Sequence, residues 1–169
     1  MRTIETLGSK IWRVSLLGVA AIAWVGIFGG MALAQSSTNI GTWKLNVAKS
    51  KYTAGTPNKG GTTKIEAAGA GIKVTVDSMP ASGAPRHWSY TANYDGKDVP
   101  ITGNSQYGDM VAMTRVDANT TRNTYKSAGK ATTISTMVVS ADGKTRTVTS
   151  KGTDARGQAV DSVAVYDKQ

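Results

Sequence analysis

The sequence predicts an all-β protein, an antiparallel up-and-down meander barrel of roughly nine or ten strands. Three observations lead there. Polar and apolar residues alternate at period two, most clearly where Ile72, Val74 and Val76 face away from Lys73, Thr75 and Asp77. Gly, Asp and Asn punctuate the chain at short, regular intervals. No helical periodicity follows the first apolar stretch, and connections of about two to six residues are too short for parallel crossovers. A flat sheet of this many strands would expose two edges, whereas closure removes them. A two-sheet β-sandwich is the alternative. It needs a long connection, and only 47–61 and 78–85 could serve.

The elements follow in order. Met1–Arg13 holds Arg2, Lys10 and Arg13 against Glu5, and Val14–Leu33 is almost entirely apolar. Ala32-Leu33-Ala34 supplies small residues where a signal peptidase reads, so 1–34 is expected to be a cleaved signal peptide. A retained anchor is the other reading, since about 20 apolar residues span a bilayer. In both cases the domain lies outside the cytoplasm, periplasmic or secreted. Residues 35–40 are expected to be a flexible arm, and 41–169 a single barrel domain. Gly41–Asn46 opens the barrel with Trp43 and Leu45 on one face. Residues 47–61 are expected to be a loop folded over one end. Thr62–Ala68 and Ile72–Asp77 form a hairpin through Gly69-Ala70-Gly71.

After a loop at 78–85, Arg86–Tyr94 puts Trp88, Tyr90, Ala92 and Tyr94 on one face. Asp95-Gly96-Lys97 is expected to close a hairpin there, because Asp-Gly suits type I′ turns. Asp98–Thr102 carries Pro100, which marks an edge or a bulge. Strands at 109–116, 120–127, 131–140, 144–151 and 159–167 complete the meander. Their turns are Asp117-Ala118-Asn119, Ala128-Gly129-Lys130, Asp142-Gly143 and 153–158.

About 135 residues remain after the leader, enough for one core. There is no cysteine, so packing and hydrogen bonds alone must hold an exported domain that disulfides often staple. The formal charge of +9 falls to about +7 without the leader. The basic residues are scattered singly, which reads as a solvated surface. No nucleic-acid motif accompanies them, and a monomer without a membrane-bound segment after cleavage is expected.

Gly41-x-Trp43 on the first strand, the meander itself and the ending Ala164-Val165-Tyr166-Asp167-Lys168 resemble the calycin superfamily, the lipocalins and fatty-acid-binding proteins. The layout is also similar to small exported bacterial proteins of lipocalin-like type. The resemblance implies that Trp43 packs across the closed barrel end with a late-strand basic residue over its ring. Arg146 is the candidate for that residue, with Arg156 behind it. The Thr-Asp-Tyr motif of lipocalins and the helical lid of fatty-acid-binding proteins are missing.

Chemistry is sparse. His87 is the single histidine and lies on the polar face of its strand, so no metal site is expected. No Gly-x-Ser-x-Gly elbow or phosphate loop occurs. Asp95, Asp117, Asp142 and Asp154 lie in turns, where Asp caps the local backbone. No enzyme activity and no cofactor are expected. The candidate ligand-binding set is Trp88, Tyr90, Tyr94, Tyr107, Arg115 and Tyr125, with Arg115 or Arg122 available to pair with a carboxylate. Core packing is the simpler reading of the aromatic stripe and outweighs the ligand-lined wall. The expectation is a binding module for a small apolar or amphipathic molecule. The alternative is a protein-interaction, inhibitor or envelope-stress protein with a filled barrel.

Overall fold

A computed structural model describes Thr38–Ala81 and Gly83–Gln169. The expected signal peptide lies outside the described residues. Eleven strands form one antiparallel sheet: β1 (Gly41–Ala54), β2 (Asn58–Ala68), β3 (Gly71–Pro80), β4 (Arg86–Ala92), β5 (Asp95–Pro100), β6 (Thr102–Gly103), β7 (Met110–Arg115), β8 (Thr120–Ser127), β9 (Lys130–Val139), β10 (Thr145–Thr153) and β11 (Ala159–Lys168). Their order is β5-β7-β8-β9-β10-β11-β1-β2-β3-β4-β6. The sheet is a nearly closed up-and-down barrel, and no described residue is helical.

Two features close it. First, β1 pairs with β11, Trp43 opposite Lys168 and Leu45 opposite Tyr166, so the first and last strands are neighbours. Second, β5 and β6 form one bent segment that changes partner. β5 pairs with β7. The Ile101 N–H then donates to the Asp109 carbonyl at 2.8 Å. β6 crosses to β4, with Thr102 opposite Ser89 and Gly103 opposite Trp88. Gly103 has φ of 99°, and a Cβ there would strike the His87 carbonyl oxygen, so only glycine permits this approach. Pro100 sits in this seam segment, where its missing N–H costs no central ladder bond.

Three expectations need correction. Residues 47–61 are not a loop over one end, because β1 runs on to Ala54 and β2 starts at Asn58. A bulge between Asn46 and Lys51 breaks the period-two pattern and leaves Val47 exposed. Side chains bridge the broken ladder: Asn46 Oδ1 accepts from Lys49 N–H at 3.1 Å, and Ser50 Oγ accepts from Val165 N–H at 3.0 Å. Asp95-Gly96-Lys97 is likewise no hairpin turn. Gly96 has φ of 74° within a β5 bulge, and β5 pairs with β7 and not with β4. The positive φ that suits a type I′ turn equally suits a glycine bulge. In the expected flexible arm Thr38 is exposed, but Asn39 is 5 % exposed and its carbonyl accepts from Trp43 Nε1 at 2.8 Å, which ties the arm to the barrel.

The core gathers Trp43, Ile65, Ile72, Val74, Trp88, Tyr90, Ala92, Val111, Met113, Tyr125 and Val139. Trp43 is fully buried, near the end where β1 begins and β11 finishes. At the opposite end, the 104–109 segment folds over the opening. Ala155 N–H donates to the Gln106 carbonyl, and Thr132 Oγ1 donates to that of Tyr107.

Trp43→Ala should lower the unfolding free energy by about 3 to 5 kcal/mol, and urea titration followed by circular dichroism checks it. A near-neutral change would remove Trp43 as the stopper. The Ala128-Gly129 turn has φ of 48° and 76°. Ala128→Asn should therefore raise stability by about 0.5 to 1 kcal/mol, since alanine is strained in the left-handed region and Asn tolerates it. A fall in the urea midpoint would contradict this.

Candidate functional site

Inside the barrel the two halves of the wall differ. β2, β3 and β4 turn Ile65, Ile72, Val74, Trp88 and Tyr90 inward, all buried. β8, β9 and β10 turn Thr121, Asn123, Thr133, Ser135, Arg146 and Ser150 inward, also buried. Period two accounts for both sets. Polar atoms out of water need partners. Asn123 Nδ2 donates to the Tyr90 hydroxyl at 2.7 Å and to the Tyr125 hydroxyl at 3.3 Å. Ser135 Oγ and Ser150 Oγ share a hydrogen bond at 2.7 Å.

The satisfied pairs leave gaps. Arg146 is 6 % exposed, its Nε has no hydrogen-bond partner, and no described carboxylate forms an ion pair with it. Arg86 Nη1 and Asn123 Oδ1 are buried without partners too. Arg86 and Arg146 line one interior cavity of about 70 Å³, together with Leu45, Trp88, Tyr90, Tyr107, Tyr125 and Tyr166. Asp77, a carboxylate of the same wall, faces outward and meets His87 Nδ1 at 2.7 Å. Burial pushes the Arg146 guanidinium below its usual value, but a guanidinium stays charged at neutral pH. Burial also raises the Tyr90 and Tyr107 hydroxyls, and raises Tyr125 well above 10. The tyrosines are therefore neutral hydrogen-bonding groups around a fixed cation.

Of the residues singled out in the sequence, Trp88, Tyr90, Tyr107 and Tyr125 come together around this cavity. Trp88 stacks on Tyr90 with centroids 5.9 Å apart and meets Tyr107 and Tyr125 edge-on. Tyr94 and Arg115 lie elsewhere, paired with each other: the Arg115 guanidinium is exposed and 4.1 Å from the Tyr94 ring centroid. Arg122 is exposed. The cation over the Trp43 ring is Lys168, 5.1 Å from its centroid, while Arg146 stands over Tyr166 at 5.8 Å. The pairing of β1 with β11 explains this, because it sets Lys168 directly opposite Trp43. Sequence reasoning did not pick Arg146 as an interior charge, nor Arg86, Asn123 or Tyr166. Arg146 lies between Thr145 and Thr147, where both faces read as polar.

The cavity is far below the ~300 Å³ that encloses a drug-sized molecule. It suits a small anion, or the anionic head of a longer molecule. Comparison with protein-family models, curated proteins and solved structures finds no match to this chain.

The isolated cation sets a stability test. A cation–π contact with Tyr166 returns about 0.5 to 2 kcal/mol, less than the several kcal/mol of desolvation that an ion suffers in a protein interior. Arg146→Met should therefore stabilise ligand-free protein by about 1 to 4 kcal/mol, read from denaturant unfolding. Destabilisation would show that the guanidinium is well satisfied where it stands.

Proposed function

We propose that this protein is a non-enzymatic binding module for a small amphipathic molecule whose anionic head sits inside the barrel. The observation that supports it is a pair of buried, unpartnered arginine nitrogens, on Arg86 and Arg146, lining one tyrosine-rich cavity. Charges out of water are ordinarily paired, and an anionic ligand supplies the missing partner. Arg146 and Arg86 would receive the head, and Trp88 and Tyr107 would pack against the first carbons. The barrel layout and the Gly41-x-Trp43 opening support kinship with lipocalin-like exported proteins. We place the domain in the periplasm or outside the cell after cleavage following Ala34.

The small interior favours a second reading. A cavity of about 70 Å³ also fits a protein that acts through its loops, an inhibitor or envelope-stress protein with a filled core.

Native mass spectrometry on protein expressed with its leader separates the two. A bound anionic molecule, and a mass lacking Met1–Ala34, are expected. Octanoate added as a probe should bind the parent protein, and Arg146→Gln should weaken it at least about 30-fold, the loss of one partner in a buried charge pair. If protein emerges without adduct, and octanoate binds parent and Arg146→Gln alike or neither, the second reading stands.

A further inference from the structure

Beyond Lys44 and Thr62 the barrel wall is not zipped between β1 and β2. The two strands pair only from Gly41 opposite Ile65 to Lys44 opposite Thr62. Past that point β1 stays with β11 as far as Ala54, and β2 stays with β3 back to Asn58. The strands rejoin only through the short link at Gly55–Pro57. The edges of this gap hold little side-chain bulk, because Gly60 and Gly61 are consecutive on the β2 side. Lys44 and Lys59, both exposed, flank it.

The gap lies between two spaces. Leu45, Asn58, Gly60, Gly61 and Thr62 line the interior cavity. Lys44, Lys59, Gly60, Gly61 and Thr62 line an outer groove of about 610 Å³ that also holds Met79 and Pro85. Arg86 borders both. The barrel ends offer no comparable route. Trp43 is sealed at one, and the Gln106–Tyr107 segment is bonded across the other.

We propose that the unzipped β1–β2 stretch is the mouth of the site: an anionic group is gathered by Lys44 and Lys59, passes Gly60-Gly61 to Arg86 and then Arg146, and leaves the apolar remainder of an amphipathic anion in the outer groove beside Met79 and Pro85. This assigns the ligand a shape as well as a charge. The head is small enough for the interior, and the tail is carried outside it. The inference rests on the reading of the interior as an anion site. Its test needs no bound ligand, so failure of either is seen separately.

Iodide and acrylamide quenching of Trp88 fluorescence tests the passage. The probe protein is the full chain with Trp12→Phe and Trp24→Phe, leaving Trp43 as a sealed internal control. Subtracting a Trp88→Phe version isolates the Trp88 signal. Iodide should quench Trp88 about 10-fold more effectively than caesium at low salt, because the flanking cations concentrate anions. A Cβ at Gly60 meets no heavy atom within 4 Å, so a side chain fits there and stands in the mouth. Gly60→Phe should reduce iodide and acrylamide quenching of Trp88 at least about 5-fold by closing the mouth, with Trp43 unchanged. If Gly60→Phe does not fold, Lys44→Gln with Lys59→Gln decides. It should cut iodide quenching about 3-fold at low salt and leave acrylamide untouched. Iodide quenching unaltered by these changes, or no greater than caesium in the parent, overturns the proposal.

Discussion

The barrel depends on the pairing of β1 with β11. That ladder makes a ring of what would otherwise be an open meander, and it seats Trp43 against Lys168 at one end. It also divides β1. A strand has two edges, and beyond Lys44 β1 uses only the one facing β11. The bulge after Asn46 follows closely on the point where β1 and β2 part. A bulge bends its strand and increases local twist. β1 then follows β11 for its remaining length, while β2 continues with β3. Closure at one side of β1 and the opening at its other side thus share one cause.

The interior shows how a chain rich in threonine, with no phenylalanine among the described residues, builds a core. The apolar wall, from Ile65 to Tyr90, supplies area removed from water at about 25 cal/mol per Å². The wall of β8, β9 and β10 adds Tyr125, Met137 and Val139 to that area, but much of its inner face is polar. Its hydroxyls are stabilised pairwise, Ser135 with Ser150 and Asn123 with Tyr90 and Tyr125. Each such bond returns about 1 kcal/mol, and each unmade bond costs about 1 to 3. The unmade ones at Arg146, Arg86 and Asn123 therefore oppose folding. A barrel shaped only for stability would have filled those positions with aliphatic side chains.

Much of the fold was legible in the sequence, because strands with one apolar face announce themselves. Ile72-x-Val74 and Trp88-x-Tyr90 read correctly as half-buried strands, and the short links forced antiparallel neighbours. Legibility failed where the contrast between faces vanished. Thr145-Arg146-Thr147 is polar on both sides, so nothing local says that Arg146 points inward; only register with Val139 and Tyr166 decides. β1 beyond Asn46 failed for another reason, since the stretch from Asn46 to Lys51 runs opposite only Val165 to Val163 and the alternation dissolves. Asp95-Gly96 failed because one backbone preference serves two structures. The aromatic part of the candidate site was therefore visible, and its charged part was not.

The charged part decides what the barrel can hold. An interior of polar hydroxyls alone would accept water or a neutral solute without preference. Arg146 breaks that symmetry, since within a low-dielectric wall its field is only weakly screened. Arg86 and the two lysines at the gap add the same sign along one line from outside to inside. Asp77, exposed and hydrogen-bonded to His87, lines both the cavity and the groove and sets one negative charge against them. Four basic side chains, Lys44, Lys59, Arg86 and Arg146, against the one carboxylate of Asp77 leave the lining of the cavity and the groove positive in sum.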